Sequence, residues 1–217
     1  MPIPSRHTPL KKVSARTKIH STLCEWIIDG TLQPGEKVSD TMIADYFETS
    51  RTPVREAIQL LADQRLVEIV PGKETRVTMI NAHETQQVYS LLGVLHSEAV
   101  TLAYPAINEK VLRQLQEIND NLQHSLRERE TAVSLQNDRD FHHVFLNLAD
   151  NCFLTDSVEN LLVHVMRVEY LHYANHKYKI ASGDEHNRII AALAMQDLAA
   201  AIMETKKNWM HFGLDLE

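Results

Sequence analysis

Apolar residues recur with a helical period along most of this chain, interrupted once by two β-rich runs. Residues 15–29 put Ile19, Leu23, Trp26 and Ile27 on one face, with Gly30 placed to end the helix. Leu32-Gln33-Pro34-Gly35 is a turn signal. Ser39 can cap a short helix over 41–47 in which Ile43, Ala44 and Phe47 are apolar. After Glu48-Thr49, a third helix opens at Ser50, with Val54, Ala57, Ile58 and Leu61 spaced i, i+3, i+4, i+7. The β-rich runs 66–70 and 76–80 flank Pro71-Gly72-Lys73-Glu74-Thr75, which predicts a hairpin. Three helices followed by a hairpin make a winged helix-turn-helix over 13–80.

From residue 81 onward the period stays helical. Residues 85–104 repeat Val88, Leu91, Leu92, Leu95, Ala99 and Leu102, and Pro105 stops them. Asn108 can cap a helix to about 129, with Leu112, Leu115, Ile118, Leu122 and Leu126 inward. Further helices are expected over 131–148, 155–173, 184–195 and 198–212, with Ser182-Gly183 as a break. The fold class is therefore mainly α: an amino-terminal winged helix-turn-helix and, over 81–217, an antiparallel all-helical bundle. Ligand sites in bundles lie between facing helices.

The third helix carries candidate chemistry. Ser50 can cap it, and Pro53 suits a first turn. Arg51, Thr52 and Arg55 lie opposite the apolar face, at the positive end of the helix dipole. A helix that buries one side and offers two arginines and a hydroxyl at its start suits a major groove. Alone, it is equally an ordinary surface helix with two solvated arginines. The flanking helices and the wing, with Gly72, Lys73 and Arg76 at its tip, favour the DNA reading.

Net charge qualifies this picture. The chain carries −7, but the first 80 residues hold 11 Lys+Arg against 10 Asp+Glu, and the remainder holds 11 against 19. Arg6, Lys11, Lys12, Arg16 and Lys18 fall within the first 20 residues, with no acid among them. Residues 1–12 read as a basic flexible tail near phosphates, whose neutralisation dominates affinity and makes it salt-dependent. A leader without a role is the alternative. No apolar run approaches a membrane span, and no signal-like segment opens the chain. Cys24 and Cys152 read as buried thiols in a reducing cytoplasm.

At this point a resemblance becomes specific. Gly30-Thr31-Leu32-Gln33-Pro34-Gly35-Glu36, then Ile43-Ala44-Asp45-Tyr46-Phe47, then Ser50-Arg51-Thr52-Pro53-Val54-Arg55-Glu56-Ala57 resemble the DNA-binding domain of the GntR superfamily of bacterial transcription regulators. The resemblance implies that Arg51 and Arg55 read bases or clamp phosphates, and that Thr52 and Ser50 touch the backbone. It also places Gly72 and Lys73 in the adjacent minor groove. Many relatives carry Asn-Arg-Gly at the wing tip; here it is Pro-Gly-Lys-Glu, and Glu74 beside DNA is unfavourable.

A second constellation lies in the helical region. Asp138 and His142 are four apart and share a helix face, and His186 lies on another helix. Such a pair is usually a surface hydrogen bond, and the chain has 12 histidines. As a metal site, imidazole with carboxylate would suit Zn²⁺, Ni²⁺ or Mn²⁺ without choosing among them.

Asp138-Arg139-Asp140-Phe141-His142, Asn151, Leu154, Glu185-His186-Asn187-Arg188-Ile189-Ile190 and Asp197 make residues 83–212 resemble the FCD effector domain of the FadR-like branch of that superfamily. In many members an Asp, a His four later and two further His bind a divalent metal beneath a pocket for a small carboxylate. Asp138, His142 and His186 match the first three positions. The fourth falls on Asn208, with His211 as a substitute one turn on. The Arg and Glu that relatives present on the first helix of this domain are replaced by Leu92-Gly93-Val94-Leu95-His96. His96, Arg139, Arg167, Tyr170 and His172 are the effector-binding candidates.

The resemblance implies a homodimeric, cytoplasmic regulator that reads a palindromic double-stranded operator, most simply as a repressor, under control of a small organic acid with metal assistance. It is not expected to be an enzyme. Two other readings stay open: a metal-dependent enzyme on the bundle, or an architectural DNA binder that senses nothing.

Overall fold

The computed structural model describes residues 14–70, 72–172 and 180–213, without the side chains of 171–172, 180–181 and 211–213. The basic tail over 1–12, Pro71 of the wing, and the side chains of His172 and His211 lie outside the described residues. The chain divides into two compact units, the first ending at Met79 and the second running from Ile80 but also taking in Ile28–Gly30.

The first unit runs α1 (Ala15–Ile28), β1 (Lys37–Val38), α2 (Asp40–Tyr46), α3 (Arg51–Asp63), β2 (Val67–Val70) and β3 (Glu74–Val77). The strands form an antiparallel sheet ordered β1-β3-β2, with Lys37 opposite Arg76 and Val67 opposite Val77. The expected apolar faces meet in one core: Ile19, Leu23, Ile27, Val54, Ala57, Ile58, Leu61 and Leu66 are all buried. Ser39 caps α2 by accepting from the Met42 N–H at 3.4 Å. Ser50 occupies the cap position of α3 in extended backbone, but its hydroxyl makes no capping bond.

Strand β1 was not foreseen, because two residues carry no readable alternation. It is fixed from outside: Gly35 N–H donates to Val77 O and Val77 N–H to Glu36 O, both at 2.9 Å. Gly35 meets that geometry at φ +81°, where a side chain would be strained.

The second unit holds α4 (Ala82–Ala103), a 3₁₀ turn (Tyr104–Ala106), α5 (Glu109–Arg127), α6 (Thr131–Ala149), α7 (Cys152–His172), α8 (Ile180–Ala194) and α9 (Leu198–Gly213). Among the described residues it contains no strand, and no helix is long and apolar enough to cross a membrane. Helix α4 packs against α6, α7 and α9, while α5 packs against α6 and α8. Asparagine side chains cap three of these helices: Asn81 takes the Glu84 N–H, Asn108 those of Lys110 and Val111, and Asn151 that of Leu154. Thus α4 and α7 begin three residues before their expected starts.

The buried stripe of α4 is Tyr89, Leu92, His96, Ala99, Val100 and Ala103, while Leu91 and Leu102 are 47% and 39% exposed. Gly93 lies on that buried stripe against α9, where an added Cβ would stand in ordinary contact, 3.4 Å from Lys206 O and Trp209 Cβ. Two expectations are corrected here. Ser182-Gly183 is not a break but lies inside α8. Gly183 lets α8 approach α5, where an added Cβ would come within 2.6 Å of Gln123 Cγ. Cys152 is exposed, on the outer side of the first turn of α7, whereas Cys24 is buried and desolvation pushes its thiol up to about 11.

Candidate functional site

In the first unit, Ser50, Arg51, Thr52 and Arg55 all sit exposed at the start of α3. Burial of Val54, Ala57, Ile58 and Leu61 on the opposite face orients them outward. Both guanidinium groups converge on Asp40, the first residue of α2. Arg51 Nη2 donates to Asp40 Oδ2 at 2.7 Å, and Arg55 Nε donates to the same oxygen at 2.8 Å. Hydrogen bonds from Arg51, then from Arg55, hold the Asp40 carboxyl down at about 2. The two arginines are therefore presented as an ordered pair rather than as two loose chains.

The wing is built differently. Gly72 turns at φ +73° with open space where a Cβ would stand, and Lys73 is exposed beside it. Arg76 is not a free cation of the tip: its Nη1 donates to Gly35 O at 2.7 Å and its Nε to Glu74 Oε1 at 2.5 Å. That bond lowers the Glu74 carboxyl and pairs the acid that would otherwise repel a phosphate backbone.

In the second unit, Asp138 and His142 of α6 meet His186 of α8, with one ligand-type atom from each lying within 4.8 Å of the others. His142 and His186 are fully buried, and their ring centroids are 5.1 Å apart. The orientation of His186 follows from Asn119 of α5. The Asn119 amide NH₂ donates to Gly183 O and Asn187 Oδ1, both at 2.9 Å, so its oxygen must accept from His186 Nδ1 at 3.2 Å. The proton is thereby placed on Nδ1, and the lone pair on Nε2 faces Asp138 Oδ1 at 3.5 Å. Asp138 also accepts from Ser182 Oγ at 2.6 Å.

Desolvation dominates the electrostatics of this cluster. It pushes Asp138 up to about 6 against the pull of the Ser182 bond, and His142 down to about 3. Neutral imidazoles with unengaged nitrogens are what a divalent ion needs. His142 Nδ1 and His186 Nε2 make no hydrogen bond among the described residues, and buried nitrogens left in that state call for an ion or water. The three side chains fit a metal, with two soft-to-borderline nitrogens and one carboxylate. Asn208 of α9 reaches the same cluster. Its amide NH₂ donates to Glu185 Oε2 at 2.8 Å, and it hydrogen-bonds His142.

The effector candidates separate. His96 is buried beside the cluster, its ring 5.0 Å from that of His142 and stacked at 4.5 Å on Trp209. Arg139 and Tyr170 are elsewhere, lining a groove with Ala132, Leu135 and Met166. Arg139 Nη1 meets Met166 Sδ at 3.4 Å, and its Nε meets Leu135 O. Arg167 is buried on α7, and desolvation lowers its guanidinium. Sequence reasoning missed Asn119, Ser182, Thr205 and Trp209. Asn119 had a signal, as a polar residue on the stripe shared by Leu115 and Leu122.

Comparison with known proteins matches residues 15–77 to the bacterial regulatory proteins of the gntR family and residues 87–206 to the FCD domain. The chain is similar to the HTH-type transcriptional regulator YdhC of Bacillus subtilis (strain 168), 24% identical over 89% of this chain and 87% of that one. It is equally similar to the HTH-type transcriptional repressor RspR of Escherichia coli (strain K12), at 24% over 91% of this chain and 86% of the repressor. In fold it resembles E. coli McbR/YncC, with a TM-score of 0.77 at 20% identity, covering 93% of this chain and 96% of that structure. With a gntR-type helix-turn-helix followed by an FCD domain across more than half of its length, the chain belongs to the GntR family and is a DNA-binding transcription regulator.

Proposed function

We propose that this regulator is a homodimeric repressor that releases or retains its operator according to a small organic acid bound beside a divalent metal. The observation that carries this reading is the buried, incompletely bonded cluster of Asp138, His142 and His186 in a chain whose other unit presents an ordered arginine pair. Arg51 and Arg55 would read base edges or clamp phosphates, Ser50 and Thr52 would touch the backbone, and Gly72 and Lys73 would enter the minor groove. Asp138, His142 and His186 would hold Zn²⁺, Ni²⁺ or Mn²⁺. The ion would supply a positive charge against which a carboxylate can bind in a dry site.

Thr205 Oγ1 and Trp209 Nε1, both buried without a hydrogen-bond partner among the described residues, support a polar ligand close by. That favours a sensor over an architectural DNA binder, whose bundle would be filled by apolar side chains. Family membership favours a regulator over a metal-dependent enzyme. Exposed Leu91, Val94 and Leu102 on α4 supply an apolar face for pairing of two copies, and two copies suit a palindromic operator.

The test begins by selecting a binding sequence from random duplex DNA. Affinity is then measured by fluorescence anisotropy, with and without a panel of small carboxylates and each metal. Carboxylate-dependent affinity that disappears in Asp138→Ala with His142→Ala is the expected result. Unchanged affinity across the whole panel would remove the acid-sensing reading and leave the DNA reading standing.

A further inference from the structure

We propose that His96 of α4 supplies the fourth protein ligand of the metal site, so that the last nitrogen comes from α4 and not from position 208 of α9. The inference rests on the reading that Asp138, His142 and His186 hold a divalent ion. Three observations lead to it.

Asn208 is poorly placed to be a strong ligand. Its amide nitrogen is engaged by Glu185 Oε2 at 2.8 Å, its side chain also bonds His142, and a carbonyl oxygen is a weak donor to zinc-like ions. His96, by contrast, is 1% exposed, and neither of its ring nitrogens has a hydrogen-bond partner among the described residues. A buried imidazole with both nitrogens idle has no structural reason to be a histidine, since an apolar ring would fill the same space without desolvating two polar atoms.

The third observation is spacing. Two imidazoles bound to one tetrahedral ion at about 2.0–2.1 Å have ring centres roughly 5 Å apart. The His142 ring centre stands 5.1 Å from that of His186 and 5.0 Å from that of His96. His142 is thus flanked by two imidazoles, each at the separation a shared ion imposes on a pair, with His96 outside the set of ligand atoms that already lie within 4.8 Å of one another. His96 borders the triad on its His142 side. Trp209 lies flat against His96, 4.5 Å away with 7° between the planes, and also contacts His142 at 4.9 Å. That stack confines the His96 ring to the edge of the cluster. Ligation draws it inward by a change of side-chain torsion, with α4 already held close to α9 at Gly93.

The chain would thereby keep three imidazoles and one carboxylate while changing the helix that delivers one of them. Metal binding would then tie α4 to α6 and α8, which links the ion to the helix that follows directly on the DNA-binding unit.

The test uses the full-length protein stripped with chelator and titrated with Co²⁺, whose visible ligand-field spectrum reports donor number and geometry, and with Zn²⁺ in competition. His96→Gln should lower affinity at least about tenfold and alter the Co²⁺ spectrum. Asn208→Ala, which removes a hydrogen bond to His142 but not a ligand, should lower affinity less than His96→Gln does and leave the Co²⁺ donor number and geometry as in wild type. Asn208→His in the His96→Gln background should restore binding, which a merely misfolded His96→Gln protein would not allow. If His96→Gln binds both metals like wild type, the proposal is overturned while the three-residue metal reading survives. If wild type takes up neither Co²⁺ nor Zn²⁺, the metal reading fails, and this proposal with it.

Discussion

The two units of this protein put their polar chemistry on opposite sides of their surfaces. In the first, an apolar core lies beneath charges that meet in water: Arg51, Arg55 and Asp40 form a fork whose arginines are 52% and 63% exposed. In the second, polar groups are carried inside: Asn119, His142, His186, Asn208 and His96 are all buried among apolar rings. The contrast has energetic consequences. Exposed ion pairs contribute little, are screened by salt and order side chains rather than hold the fold. Buried polar groups cost stability until something satisfies them, so they bias the unit toward a ligand. One unit is arranged to meet a charged polymer, the other to answer a small ligand.

The sharpest way to break this comparison is to remove the apolar shell of the second unit. Phe141 is fully buried, and its ring lies 3.7 Å from that of His186 with 6° between the planes. Phe141→Ala should cost about 3–5 kcal/mol in denaturant unfolding, because it leaves a cavity and unseats the imidazole. A loss under about 1 kcal/mol would show that the bundle does not depend on this shell. Asn119→Ala acts on the polar side of the same contact. It leaves His186 Nδ1–H without an acceptor, which should cost about 1–3 kcal/mol in the metal-free protein. It should also weaken metal binding about 10–100-fold, as read by Zn²⁺ titration, because the tautomer is no longer fixed. Unaltered metal affinity would mean that Asn119 does not orient the ligand.

The difference between the units also explains what the sequence could be made to say. The amphipathic stripe of α3 was readable because one face is apolar and the other charged, so periodicity alone placed Arg51 and Arg55 outward. Helix α4 was harder. Its apolar arc is wide, and which part of it is buried is set by packing against α6, α7 and α9, segments far apart in the chain. Gly183 and Ser182 have the composition of a break, yet Gly183 admits α5 and Ser182 binds Asp138; local propensity yielded to tertiary contact. Asp138, His142 and His186 were identified by spacing and resemblance. Asn119 stood out in sequence only as a polar residue on an apolar stripe; that it orients His186 became readable only once α5 and α8 were side by side. Arg139 and Tyr170 suited an effector by residue type, but line a different groove from the histidine cluster.

A smaller effect is expected at the exposed fork, and it concerns DNA rather than stability. Arg51→Ala should weaken binding to the selected duplex by about 1–3 kcal/mol if the arginine reads a base. If it clamps a phosphate, the loss should be similar on all sequences, and the slope of log affinity against log salt should fall by about one unit. The same measurement on Arg55→Ala separates the two roles. No change in either variant would remove α3 from the DNA interface.

The least effect on folding should come from Asp40→Asn, and pH identifies its origin. Asp40 sits at about 2 in the folded protein, below the ordinary carboxylate value of 3.8, because Arg51 and Arg55 favour its ionised form. Its contribution should therefore be complete above about pH 5 and be lost as pH falls through about 2. Both guanidinium groups are half in water, so the full contribution should stay within about 1 kcal/mol and shrink further at high salt. Wild type and Asp40→Asn should differ by that amount at pH 7 and approach one another only below about pH 2. A constant difference across this range would mean that the carboxylate charge is not its source. On DNA the same substitution should act in the other sense. It removes a negative charge beside the phosphates and leaves the two arginines unordered, so affinity for random duplex should rise while preference for the selected sequence falls. A variant that kept full sequence preference would show that the arginines order themselves on the DNA without Asp40, and that the fork belongs to the free protein alone.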